Sequence, residues 1–477
     1  MCLILFTDKP IPPALLIQQR VTRVKQCQLQ AASAPVTDED CFAVEFDHRQ
    51  YYLAEQPTIR LLALICIQVS PSGSVSIEGS ILPFSSVLRE ELQFLNPDSS
   101  NLRQYCKQNG FVWVQFTAPW LLVPVQVPKP WGRELWFTGI EARGQSEVQG
   151  EGGNLPLPWV LSLFPQTKES TEEIILLKVL DPLPDEVYGD LYLELHEQKQ
   201  EVYVVTHIDS QAWPGEVASM QLGFNQEQRR RYSDDEAFKR SYLKAVQDYE
   251  KVRRRLDVVL EKKKSQAAIP SNQPVAVEVL KKWMNELSQH IETKNLVEQE
   301  KILRSSMDAF IGSHRLRVGD WVRVPRNMPH SLKHGIRVIE FQTPVYERKI
   351  LSFAQQVLTQ THWDTASALQ LAELGSYQQD EPVILECSDF GSVERIASFD
   401  DFEVRRIQLN SFMQLDGAQY SLLMVLEGEV HIETGDALMH LTSGQTVLMP
   451  EVEKFWRINP GRPAILLHSI PLPLSAK

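Results

Sequence analysis

Cysteine is scarce in this chain. Six occur among 477 residues, at 2, 27, 41, 66, 106 and 387, and no two form a Cys-x-x-Cys pair. That excludes a zinc ribbon, and the spacing predicts reduced, buried thiols of a cytoplasmic protein rather than a disulfide framework. Long apolar runs are also missing. The best, Leu61 to Val69, is about half of the roughly 20 residues a spanning helix needs, so no membrane partner is expected. Positive charge is in deficit, with 48 Lys and Arg against 61 Asp and Glu and a net charge of −13. Such a chain is not built to hold nucleic acid by its overall field. The first eight residues, Met1 to Asp8, lack a basic flank and read as a buried strand, not a secretory signal.

What is present is average for a globular protein, with 43% hydrophobic and 23% charged residues. The length fits two to four folding units, and 29 prolines with 22 glycines favour many turns and β structure. Short strands are expected at Cys41 to Phe46, Arg60 to Val69, Ser74 to Ile81 and Phe111 to Phe116. A second β block runs from Lys129 to Gly223, and within it Glu141 to Pro158 reads as an exposed polar loop.

The character changes at Asn225. Ser233-Asp234-Asp235-Glu236 predicts a capping box, and Tyr242, Val246, Tyr249, Val252, Leu256 and Val259 recur at helical spacing. Residues 226–264 hold 13 Lys or Arg and 8 Asp or Glu, a local +5 on a remainder of −18. Their basic runs (Arg229 to Arg231, Arg253 to Arg255, Lys262 to Lys264) are expected to be solvated helix faces. A second helical stretch is expected from Val275 to Ser305, and strands return at Arg315.

Two clusters on either side of this helical stretch carry chemistry. The first is Glu194-Leu195-His196-Glu197-Gln198-Lys199-Gln200-Glu201. Alternation on a strand puts Glu194 and His196 on one face, and a turn would place Glu201 on the neighbouring antiparallel strand. The second is Gly319-Asp320, Val324-Pro325 and Pro329-His330: glycine, five residues, proline, four residues, histidine. Two imidazoles and two carboxylates suit Zn²⁺, Mn²⁺, Fe²⁺ or Ni²⁺.

The order of these residues resembles the two halves of a cupin metal site, and the wider sequence resembles the type I phosphomannose isomerase family. Leu176-Leu177-Lys178-Val179-Leu180-Asp181, Lys199-Gln200-Glu201 and Gly319 to Leu332 each resemble segments around that family's ligands. Val338-Ile339-Glu340-Phe341-Gln342 resembles the strand with its active-site glutamate, and His362 to Leu369 the helix leading to its C-terminal domain. The resemblance implies a mainly β fold with two cupin (jelly-roll) domains, a helical insertion and an additional β-rich N-terminal region. The implied boundaries are 1–125 for the N-terminal region, 126–224 with 306–352 for a metal-binding cupin, and 225–305 for the insertion. A helical connection at 353–388 and a metal-free cupin at 389–477 complete the chain.

By the same resemblance Glu194, His196, Glu201 and His330 hold one divalent ion, zinc in that family. Glu340 is then the acid/base, with Lys199 and Arg348 as cationic contacts. The implied activity interconverts mannose 6-phosphate, or a related sugar phosphate, with its ketose isomer. The alternative is a non-catalytic cupin that binds a sugar or its phosphate. Two departures bear on this choice: Glu194 stands where the family has glutamine, and the Gln342–Arg348 segment is two residues short. In the last block Gly444 and Pro450 repeat the spacing of Gly319 and Pro325, but no histidine follows, and His431 and His440 read as structural. Nothing in the sequence sets the oligomeric state.

Overall fold

The computed structural model describes residues 12–30, 38–70, 73–96, 98–129, 131–166, 174–185, 191–270, 275–352, 362–434, 437–451 and 455–472. The strand expected at Met1 to Asp8 and the turn at Gly435-Asp436 lie outside them. The fold is mainly β, and the chain divides into two compact units. One holds residues 1–125, 136–177 and 382–477, the other 126–135 and 178–381. Among the described residues no helix is long and apolar enough to cross a membrane.

Within the first unit the N-terminal region is a four-stranded antiparallel sheet, Asp38–Arg49, Thr58–Val69, Val75–Pro83 and Val114–Gln115 in that order. Both faces of its central strand are buried, so its apolar run does not alternate. Helices Ser86–Leu92 and Ser99–Gln108 pack Leu88, Leu92, Leu102 and Cys106 against Leu62, Leu64 and Leu82. A helix at Pro13–Gln30 adds to this region and was not expected from the sequence. Cys41 and Cys66 are register partners on adjacent strands and are joined as a disulfide, which corrects the expectation of reduced thiols for this pair. Spacing along the chain says nothing about which cysteines a hairpin sets opposite each other. Buried Cys106 remains free, its thiol pushed up to about 12 by burial.

The segment read as a polar loop is structured. It forms the hairpin Glu147–Gly150 and Gly153–Pro156, followed by the helix Leu157–Leu163. Val148 and Leu155 are the buried residues of the hairpin's strands, too few for a sequence pattern to reveal.

The second unit is a two-sheet barrel with helices inserted. One sheet runs Trp321–Val324, Glu201–Ile208, Ile336–Gln342, Leu176–Pro182, Gly132–Trp136 and Val125–Lys129. The other runs Ile311–Leu316, Ala218–Phe224, His330–Ser331, Leu193–Leu195 and Lys349–Ser352. Phe224 and Ile311 are register partners, and the chain between them forms the insertion. Its long helix, Asp235–Gln266, is capped by Asp234, which accepts from Ala237 N; Ser233 instead donates to Asp234. The expected cap therefore shifts by one residue. The stripe from Phe238 to Leu260 is buried against Phe224, Phe310 and helices Val277–Gln289 and Lys294–Asp308. Not all basic residues of this helix are solvated: Arg253 is buried and ion-paired with Asp257 at 2.8 Å, and Lys264 is buried too.

The C-terminal block builds a second barrel. Thr446–Met449, Ser421–Glu427, Ala464–Pro471, Phe402–Leu409 and Gly391–Ser398 lie side by side in one sheet. Ala437–Thr442, Glu429–Thr434, Phe455–Pro460 and Met413–Asp416 form the other. In chain order these are the seventh, fourth, ninth, second and first strands, then the sixth, fifth, eighth and third. Starting at Gly132–Trp136, the first barrel has the same neighbours in the same order. Its helical insertion occupies the place of the link at residues 435–436 in the second.

Candidate metal centre

Glu194 and His330 are cross-strand partners on the second sheet of the first barrel, so their side chains share one face. His196 follows two residues after Glu194. Glu201 comes from the opposite sheet, where it pairs with Val324 and Gln342. The expectation of a hairpin joining the two is thus corrected. Residues 197–200 carry the chain from one sheet to the other, and the carboxylate meets the imidazoles across the barrel interior.

That short crossing is held at several points. Glu347 accepts from the backbone amides of Glu197 at 2.9 Å and Gln198 at 3.1 Å, and Lys349 ion-pairs with Glu197 at 3.6 Å. Asn327 N donates to His196 O, Arg326 Nε to Gln198 O, and Thr343 N to Gln200 O. The backbone around both ligand strands is therefore fixed before any ion is considered.

The four side chains converge. One donor atom each from Glu194, His196 and His330 lies within 4.8 Å of the others. His196 Nε2 is 3.7 Å from Glu194 Oε1 and 3.7 Å from Glu201 Oε1, and His330 Nε2 is 2.6 Å from Glu201 Oε1. Ligands at about 2.0–2.1 Å from a tetrahedral ion stand roughly 3.4 Å apart, so the 3.7 Å separations match such a centre.

The orientation of the rings supports the same reading. His196 Nδ1 hydrogen-bonds to Glu347 O at 2.7 Å and His330 Nδ1 to Met328 O at 2.9 Å. A carbonyl accepts only from N–H, which leaves each Nε2 turned toward the carboxylates, as metal-ligating imidazoles require. His196 Nε2 and Glu194 Oε2 are buried without a hydrogen-bond partner. Orphaned atoms of this kind carry a penalty that a cation would remove. The residues present fit a divalent ion.

Charges around the centre are strongly coupled. Burial pushes His196 well below its usual range, and Lys199 adds to the effect. Burial opposes the charges on Glu201 and Lys199, yet their 2.6 Å ion pair outweighs it, lowering Glu201 and raising Lys199. For His330 burial again opposes charge, but Glu201 raises it. The proton on His330 Nε2 and a metal ion are alternatives at that point, because a ligating imidazole is neutral.

Glu340 pairs in register with Tyr203 and comes within 3.8 Å of Lys199 Nζ. Burial raises it to about 8, with Lys178 opposing and Glu201 adding to the shift. Arg348 is placed on Tyr192, whose hydroxyl accepts from Nη1 at 2.5 Å and whose ring centre lies 4.9 Å from the guanidinium. Thus six of the seven anticipated residues meet in one cluster, and Arg348 stands beside it.

Sequence reasoning missed several participants. Tyr203 donates to Glu201 at 2.7 Å, and Lys178 donates to Gln342 at 2.7 Å beside Glu340. A lysine inside the apolar run Leu176 to Leu180 was a readable signal for the second. Glu347 gave none, because its role depends on a backbone contact 150 residues away in sequence.

No family model matches the sequence, and no curated protein does. Solved structures do match. They include a mannose 6-phosphate isomerase from Bacillus subtilis at 14% identity and TM-score 0.51. A zinc-bound mannose 6-phosphate isomerase matches at 12% and 0.50, as does a variant phosphomannose isomerase from Salmonella typhimurium. Each match covers 74% of this chain and 99% of the other. The chain carries the fold of the mannose 6-phosphate isomerases.

Proposed function

We propose that this protein is a divergent, metal-dependent aldose–ketose isomerase of the type I phosphomannose isomerase family, acting on mannose 6-phosphate or a related sugar phosphate. The observation that carries the reading is the convergence of Glu194, His196, Glu201 and His330, with Glu340 and Lys199 beside them. Bound there, a divalent ion such as zinc would act as a Lewis acid toward the sugar carbonyl and hydroxyl.

This chain's residues would do the rest. The reaction moves the proton of the carbon next to the carbonyl to the carbonyl carbon through an enediol while a hydroxyl proton passes between the two oxygens, so no protons or electrons are gained or lost. Glu340 is the candidate to remove and return it, since a buried carboxylate near neutrality serves in either direction. Lys199, a buried cation 3.8 Å from Glu340, would balance negative charge that develops on oxygen. Arg348, steadied by Tyr192, is the candidate to meet the phosphate. Sugar phosphates are retained inside cells, which favours a cytoplasmic site of action.

A coupled assay of metal-loaded protein with mannose 6-phosphate tests the reading. Turnover to fructose 6-phosphate is expected. A second reading, a non-catalytic sugar-binding cupin, has one observation in its favour: Glu194 makes the set of two carboxylates and two neutral imidazoles formally neutral with a divalent ion. Binding of the sugar phosphate without turnover would select it.

A further inference from the structure

Strand for strand, the second barrel repeats the wall on which the first builds its centre. Val324 and Met449 each precede the proline of a Gly-x5-Pro turn, and they pair with Glu201 and Ser421. Two residues along, Tyr203 pairs with Glu340, and Leu423 pairs with His468. His468 therefore stands where Glu340 stands, and Ser421 where Glu201 stands. On the facing sheet the pair Glu194–His330 has Leu415–Trp456 as its inward counterpart.

Ligands for a metal have gone from these positions, but polar chemistry has not. His468 is 2% exposed, and neither ring nitrogen has a hydrogen-bond partner. Ser421 Oγ and Trp456 Nε1 are likewise buried and unpartnered. The register partner of His468 on its other side is Arg405. Arg405 Nε meets Glu403 at 2.6 Å, and Arg395 approaches the second Glu403 oxygen at 3.5 Å. Two guanidiniums share one carboxylate, so the cluster keeps one positive charge.

A buried polar group left unpaired costs free energy, so several on the two facing sheets of one barrel call for a common partner. Residual positive charge disfavours a cation. An apolar guest would leave the hydroxyl, the indole N–H and the imidazole unsatisfied. An acceptor-rich anion answers both conditions. We propose that the inner wall of the second barrel around His468 is a metal-free site for a small oxyanion, a phosphoryl or carboxylate group. Arg405 supplies charge, while His468, Ser421 and Trp456 supply neutral donors. Burial, with Arg405 adding to it, pushes His468 down to about 3, which keeps the ring neutral at physiological pH.

Full-length protein labelled with ¹³C at histidine, titrated with inorganic phosphate and separately with acetate, tests the site. His468→Gln assigns the His468 ring signal. That signal is expected to move and saturate with a Kd of about 1 mM or below for one of the two anions. The shift should persist in His330→Ala, which disables the first-barrel centre, and weaken at least tenfold in Arg405→Gln. Should His468→Gln fail to fold, loss of binding in Ser421→Ala and Arg405→Gln, read by calorimetry, carries the same test. Tighter saturation by phosphate assigns a phosphoryl group, and by acetate a carboxylate. A signal unmoved by either anion overturns the proposal. So does binding that His330→Ala abolishes and Arg405→Gln leaves intact.

Discussion

The two barrels share their strand order and the Gly-x5-Pro turn, yet at matching positions one gathers carboxylates and imidazoles and the other Leu415, Ser421, Trp456 and His468. The register decides where a side chain points, and the residue decides what that direction is worth. In one case these positions gather the candidate metal ligands. In the other, most of the wall joins an apolar core of Leu423, Val425, Val447, Leu466 and their neighbours. Fold alone therefore carries no function; the site grafted on it does.

The sharpest way to break this contrast is His330→Ala. Wild-type protein is expected to hold about one divalent ion per chain by elemental analysis, as a four-ligand centre does, and the variant almost none. Trp456→Phe, at the matching place, should leave metal content unchanged. A metal-free wild type would abolish the distinction between the barrels.

Next in size is Glu340→Gln. If Glu340 moves the proton, kcat should fall by about 10²–10⁴-fold while metal content stays at the wild-type level. Loss of metal with activity would instead make Glu340 a support for Glu201.

Smaller still is Glu347→Ala. Its carboxylate holds the amides of Glu197 and Gln198, and its carbonyl accepts from His196. Removing the side chain should weaken metal affinity by about 10–100-fold, as measured by competition with a chelator. Glu347→Gln should recover part of that loss. Unchanged affinity in Glu347→Ala would show that the crossing is rigid without it.

The mildest effect concerns pH and the second barrel. His468 titrates at about 3 when folded, against an ordinary 6.5, so below 6.5 only the unfolded chain takes up the proton. The group thus contributes stability that is complete above pH 6.5 and is lost as pH falls toward 3, at most about 1.4 kcal/mol per unit. Arg405, facing the ring, reinforces the effect, and Glu403 pairs with Arg405. Denaturant midpoints between pH 7 and 5 should fall less in His468→Leu than in wild type. Equal slopes would mean that the ring is protonated in the fold.

Much of this was readable from residues. The stripe Tyr242, Val246, Tyr249, Val252 and Leu256 gave the long helix, because burial of one helical face imposes its own period. That Glu194, His196, Glu201 and His330 come together was readable from the resemblance of their order to the two halves of a cupin metal site, not from the local turn, which the structure replaces with a crossing between sheets. What stayed hidden depends on pairing between distant segments. The Cys41–Cys66 disulfide and the crossing between sheets at residues 197–200 are of this kind, whereas the hairpin after Glu147 is local and escaped because only Val148 and Leu155 of it are buried. Arg253 escaped for another reason: a buried cation looks solvated until its partner, Asp257, is seen on the same helix face.

The helical insertion leaves the first barrel at Phe224 and returns at its register partner Ile311. The two ends are therefore only about 5 Å apart, the spacing of neighbouring strands. Closing a chain across a fixed gap grows in entropic cost only logarithmically, about 0.6 kcal/mol for each doubling of length. By that measure a barrel with its ends so placed carries the bundle between Phe224 and Ile311 in place of a short turn for only about 3 kcal/mol more in chain closure. The position between the fifth and sixth strands is thus a natural port for exchanging domains, and a fluorescent or affinity module inserted there should leave the ligand strands in register.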